Sequence, residues 1–163
     1  MASSKTEKDV SIAPLLSEDR IVVGKVFSDK NAVQDALVKL ICRSKELGDP
    51  DKLLRKIQER EHGVSTTLES GLSLPHVRLE DFPDVVAALA VLPKPVVDPE
   101  QPDFPIYAML LFLSSNDSEH SLRHLKLLRS AAILFRVDFV KQLAAAKTAE
   151  RVLESIRRRE SIT

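Results

Sequence analysis

Aromatic side chains are scarce in this chain, with six phenylalanines, one tyrosine and no tryptophan among 163 residues. Its 24 lysines and arginines are offset by 24 aspartates and glutamates, so the formal charge is zero. Base-stacking rings and a broad basic footprint are both missing, which excludes nucleic acid as the expected partner. One cysteine, Cys42, has no partner in the chain, so a disulfide framework is excluded. Lying in an apolar-periodic stretch without CxxC spacing, it is expected to be a small buried hydrophobe. No apolar run approaches the roughly 18 residues of a membrane span, and the N-terminal MASSKTEKDV is polar where a signal peptide would be greasy. A cytoplasmic protein with no membrane insertion is expected.

What is present suffices for one hydrophobic core. Residues 1–10 contain almost nothing to pack and read as a disordered leader, and residues 11–160 read as a single domain. Residues 21–26 predict a short strand. Ser28 or Asp29 then caps a helix whose apolar face is Val33, Ala36, Leu37, Leu40, Ile41 and Leu47. Gly48-Asp49-Pro50 closes that helix and opens another, striped by Leu53, Leu54 and Ile57. From Arg60 to Thr67 the helical period fades, and Gly71-Leu72-Ser73-Leu74 predicts a hairpin-like pair leading into a loop at Pro75-His76.

Residues 85–92 and 106–113 are nearly continuous apolar runs, the pattern of strands covered on both faces. Pro93, Pro95, Pro99, Pro102 and Pro105 lie between them and predict an extended connection, since proline cannot donate to a ladder. A helix striped by Leu125, Leu128, Ala132 and Phe135 follows, then two shorter ones capped at Asp138 and Thr148. The basic residues 157–159 suit a helix C-terminus. Alternating strands and helices predict an α/β fold, a three-layer α/β/α sandwich with a mixed central sheet.

No GxGxxG or GxxxxGK[ST] phosphate loop occurs, and Ser65, Ser73 and Ser114 lack a GxSxG setting. The candidate chemistry therefore lies with His62, His76, His120 and His124. His76 follows a proline that fixes its backbone and precedes polar Arg78, Glu80 and Asp81, the setting of an ordered, accessible loop residue. His120 and His124, four apart at a helix start, share one side of that helix. Two ligands without an HExxH motif do not make a metal site, and no metal is expected. A helix start also favours anions, which pairs this position with His76 in a phosphate site.

Arg60-Glu61, Ser65-Thr66 and Gly71-Leu72-Ser73-Leu74-Pro75-His76-Val77-Arg78 together resemble the R-E-x3-S-T-x4-G-[IV]-A-[IL]-P-H-x-R signature. That signature belongs to phosphotransferase-system IIA domains of the fructose, mannitol and nitrogen-regulatory class. His124-Leu125-Lys126-Leu127-Leu128 is similar to the family's second pattern, H-L-x-L-L, which carries a second active-site histidine. The resemblance spans roughly residues 12–157. It departs at Ser73, where alanine is usual, at Leu68-Glu69-Ser70, and at Phe104-Pro105-Ile106-Tyr107.

The resemblance implies that His76 accepts a phosphoryl group from phosphorylated HPr or a related carrier. It implies onward transfer to a IIB component, or use of the phosphate as a nitrogen or metabolic signal to a regulatory target. The alternative is a regulatory binding protein whose partner affinity is set by His76 phosphorylation. His124 would donate a hydrogen bond to the phosphoryl group, and Arg60 would supply charge. Ser65, Thr66, Arg78 and Glu61 would support the phosphate site, and neither cofactor nor metal is implied. His62 and His120 carry no family role.

Overall fold

The computed structural model describes residues 10–63, 65–80, 82 and 85–162. Most of the expected leader, residues 1–9, lies outside the described residues, whereas Val10 packs against the core. Strand β1 (Ile21–Val22) is followed by helices α1 (Lys30–Lys45) and α2 (Pro50–Glu61). Short strands β2 (Leu72–Ser73) and β3 (His76–Leu79) precede the long strands β4 (Val86–Asp98) and β5 (Gln101–Ser115). Helices α3 (Ser121–Leu134), α4 (Val137–Ala144) and α5 (Ala149–Ser161) complete the order. No described helix is long and apolar enough to cross a membrane.

The sheet is mixed. β4 and β5 run antiparallel at its centre, β1 lies parallel on the outer edge of β4, and β2 and β3 lie parallel in succession along the other edge of β5. Because strand side chains alternate between faces, each central strand feeds two cores. Ala88, Ala90, Met109 and Leu111 meet Val33, Leu37, Ile41 and Ile57 of α1 and α2 on one face. Leu89, Val91, Leu110 and Phe112 meet Leu127, Ala131, Phe139 and Ile156 of α3, α4 and α5 on the other. The three-layer α/β/α sandwich is thus the observed architecture, and double-sided burial explains the unbroken apolar runs.

Several local expectations are corrected. β1 stops at Val22, short of the expected strand end, and Gly24 follows with φ 70. The five prolines do not make a separate connection. β4 and β5 continue as one ribbon to a turn at Pro99-Glu100, pairing Val96 with Ile106 and Asp98 with Gln101. The ribbon tolerates its prolines because the register shifts between Val91 and Val96 and again before Asp98. α1 ends at Lys45, and Glu46, whose φ is 53, is its left-handed cap in place of Gly48. Asp49 does cap α2, accepting from the Asp51 amide at 3.0 Å. Thr148 caps α5, but Asp138 falls inside the first turn of α4 and pairs with Arg159 instead.

The buried faces of two helices are rotated from those expected. α1 buries Gln34, Val38 and Cys42 in place of Ala36 and Leu40, while Leu47, beyond the helix end, packs partly buried against the same core. Cys42 is a buried free thiol whose pKa burial raises. α3 buries His124, Leu127, Ser130, Ala131 and Leu134, leaving Leu125 62 % exposed. In both cases polar residues occupy inward positions, so the apolar stripe points about one residue away from the true face. For α3 that rotation carries His124 inward.

The tip of the β4–β5 ribbon is fixed by a buried carboxylate. Asp98, 1 % exposed, accepts from Ser65 Oγ and Thr67 Oγ1 at 2.6 Å each and from Lys30 Nζ at 3.1 Å. Burial alone would raise its pKa, but the hydrogen bonds from Ser65, Thr67, the Glu100 amide and Lys30 together hold it down at about 2. Asp98→Ala leaves the Lys30 ammonium, itself 8 % exposed, without its counter-charge. Urea denaturation of that variant should show a loss of about 3 kcal/mol.

Candidate functional site

The site forms where β3 joins β5. Gly71 sets up the approach: its φ is 93, its carbonyl accepts from the Tyr107 amide at 2.8 Å, and a Cβ there would stand 3.2 Å from the Tyr107 ring. The hairpin-like pair is present, with Thr67 bridging Ser73 and the Leu74 amide donating to Thr66 O. Leu74 and Pro75 interrupt the ladder, and β3 resumes pairing with β5 in the register that β2 began, with His76 opposite Phe112 and Arg78 opposite Ser114.

His76 is therefore the first residue of a strand rather than part of an accessible loop, and it is 5 % exposed. Its ring stacks on Phe112 at 5.2 Å between centroids, 10° from parallel. Nδ1 lies 2.7 Å from the Leu74 carbonyl oxygen. A carbonyl can only accept, so Nδ1 carries the hydrogen and the lone pair of the neutral ring is on Nε2. Burial lowers the His76 pKa; the Leu74 hydrogen bond opposes that, Arg60 adds to it and Glu61 opposes it.

His124 sits in the first turn of α3 with its centroid 5.2 Å from that of His76, the rings tilted by 53°. It is 7 % exposed, and its Nδ1 lies 2.6 Å from Ser114 Oγ. Burial, then the neighbouring charges of His76, Arg78 and Arg60, push its pKa down to about 4. Both rings are consequently neutral near pH 7.

Both imidazoles thus have folded-state pKa values below the ordinary 6.5. Below pH 6.5 the unfolded chain binds more protons than the folded one, so their contribution to stability is complete above that pH and is lost as pH falls towards 4. Denaturation curves across this window should lose on the order of 2 kcal/mol through His124. His124→Gln should flatten the slope.

Arg60, exposed at the end of α2, and Arg78 line one groove with Lys56, Glu59, Glu80 and Asn116. Arg78 is also a staple: Nε donates to Ser115 O at 3.1 Å, and Nη2 donates to Asp117 O at 2.9 Å and Ser121 Oγ at 3.1 Å. It fixes the turn that launches α3, and with it the position of His124.

The remaining expected support residues are engaged differently. Ser65 is committed to Asp98, and Thr66 Oγ1 donates to Glu61 Oε1 at 2.6 Å. Glu61 is 6 % exposed and makes no ion pair with Arg60 among the described residues; its Oε2 has no hydrogen-bond partner there. His62 is exposed. His120 ends the short turn Ser118–His120, and its side chain lies outside the described residues. Among the described residues no three His, Cys, Asp or Glu side chains cluster as metal ligands.

Sequence reasoning missed Phe112 and Ser114. Their signal was the alternation Phe112, Ser114 on β5 against His76, Arg78 on β3, legible only once the parallel register is known.

Comparison with known proteins bears on this arrangement. Residues 14–159 match the family described as phosphoenolpyruvate-dependent sugar phosphotransferase system, EIIA 2. A nitrogen regulatory protein of Pseudomonas aeruginosa is 27 % identical over 148 residues, covering 90 % of this chain and 95 % of that protein. Among solved structures, nitrogen regulatory protein IIA-Ntr from Neisseria meningitidis superposes with a TM-score of 0.77 at 22 % identity, covering 88 % of this chain and 97 % of that one. IIA mannitol from Escherichia coli gives 0.72 at 16 %, covering 86 % and 98 %. These two likenesses concern the fold. The family match encloses β3, β5 and the start of α3, the elements that bring His76 and His124 together, and the chain belongs to the EIIA 2 family of the phosphoenolpyruvate-dependent sugar phosphotransferase system, a family of phosphoryl-transfer proteins.

Proposed function

We propose that this chain is a cytoplasmic phosphohistidine carrier. Nε2 of His76 accepts a phosphoryl group from phosphorylated HPr or a related carrier, and the group passes to a IIB component or is held as a regulatory signal. The observation that carries the reading is the fixed tautomer of His76. With Nδ1–H held by the Leu74 carbonyl, Nε2 presents its lone pair beside a second imidazole.

In the transfer, the N–P bond of the donor phosphohistidine breaks as a new one forms to Nε2 of His76. The donor ring regains its electron pair, and no proton leaves His76. Its ring gains positive charge, which strengthens the hydrogen bond to the Leu74 carbonyl. The chemistry needs positioning and charge stabilisation more than acid–base catalysis. His124 supplies a donor for the phosphoryl oxygens, and Arg60 and Arg78 supply a positive field. Leu122 and Leu125, 63 % and 62 % exposed on the helix that carries His124, offer an apolar surface for a transient partner.

Incubation with enzyme I, HPr and phosphoenolpyruvate tests the reading. One acid-labile, base-stable phosphate per chain is expected. No incorporation, or an acid-stable phosphoserine, would contradict it. The regulatory use of the same phosphate is supported by the nitrogen regulatory protein that this chain resembles.

A further inference from the structure

The contact between Ser114 and His124 holds information about where the second imidazole keeps its hydrogen. Ser114 is 1 % exposed and His124 7 %, so water does not freely complete their hydrogen bonding. A serine hydroxyl can donate or accept, and each nitrogen of a neutral imidazole does one or the other according to tautomer. The surroundings decide between the two arrangements.

Among the described residues, Ser114 Oγ has no hydrogen-bond partner other than His124 Nδ1, at 2.6 Å. If Nδ1–H were the donor, the hydroxyl hydrogen would be buried with nothing to accept it, the costly arrangement. If the hydroxyl donates to the Nδ1 lone pair, both groups are satisfied at once.

We infer that Ser114 is a positioning residue for phosphoryl transfer: its hydroxyl donates to Nδ1 of His124 and so fixes the hydrogen of that ring on Nε2. The two imidazoles then hold opposite tautomers. His76, anchored by the Leu74 carbonyl, keeps a lone pair on Nε2, whereas His124, anchored by Ser114, keeps a hydrogen there. One strand sets up both rings, since Phe112 stacks on His76 and Ser114, two residues on along β5, holds His124. With its hydrogen on Nε2, His124 meets a phosphoryl oxygen as a donor without rearrangement. In the other tautomer its Nε2 lone pair would repel that oxygen.

The kinetic consequence rests on the proposed phosphorylation of His76, but the tautomer belongs to the resting protein and is measured without any phosphate. Long-range ¹H–¹⁵N spectra of histidine-labelled protein at neutral pH should show His124 with a pyridine-like Nδ1 and a pyrrole-like Nε2, and His76 with the reverse. Ser114→Ala should give a mixed tautomer at His124 and a roughly tenfold slower phosphate acceptance. Ser114→Thr, which keeps the hydroxyl, should return both towards the original values. A wild-type His124 protonated on Nδ1, or a His124 spectrum unchanged in Ser114→Ala, would overturn the inference, and the wild-type spectrum decides even if the alanine variant does not fold. A His76 that takes no phosphate while the tautomers stand as described would overturn the proposed function instead.

Discussion

His76→Ala should form no phosphoprotein at all with enzyme I, HPr and phosphoenolpyruvate, followed by autoradiography on gels run without acid fixation. The substitution removes the Nε2 lone pair that the hydrogen on Nδ1, held by the Leu74 carbonyl, leaves free for attack. His124 cannot take over, because its Nδ1 lone pair is engaged by the Ser114 hydroxyl and its hydrogen is on Nε2. The variant should remain folded, since the β3–β5 ladder uses the His76 backbone and not its ring. Undiminished labelling of His76→Ala would move the nucleophile elsewhere.

His124→Ala should behave differently. The nucleophile and its Leu74 anchor survive, so phosphate is still accepted, but the donor that neutralises the oxygens is gone. Loss of one such preorganised contact costs on the order of 10²–10³ in rate. Rapid-quench kinetics should place the acceptance step in that range, with onward transfer affected at least as much, because charge must be neutralised as the bond to His76 breaks. An unchanged rate, or total loss in a folded variant, would mean that the two histidines do not divide the work in this way.

Much of this site was legible in the amino-acid order. The motif from Gly71 to Arg78, together with His124, identified both imidazoles, and the two apolar runs identified the central strands. The sequence reading failed where polar residues point inward. His124 and Ser130 occupy the buried face of α3, and an apolar stripe drawn through Leu125 and Leu128 therefore aims about one residue off. It failed also where tertiary pairing overrides a local rule. Pro93 and Pro95 read as breaks, yet β4 continues through them because a shift in register removes the need for their missing amide hydrogens.

The supporting residues were the least legible part. Ser65 and Thr66 are polar and near the motif in sequence, but their hydroxyls serve Asp98 and Glu61. Nothing local marks Asp98 as their acceptor, because 33 residues separate Ser65 from it. Phe112 and Ser114 were invisible for the same reason, since their roles follow from the parallel pairing of β3 with β5.

The identity of the reacting nitrogen tests the whole account most directly. Protein labelled with ¹⁵N at histidine and phosphorylated through the carrier chain should show a one-bond ¹⁵N–³¹P coupling at Nε2 of His76, with Nδ1 still protonated against the Leu74 carbonyl. Coupling at Nδ1 of His76, or at any nitrogen of His62, His120 or His124, would contradict it.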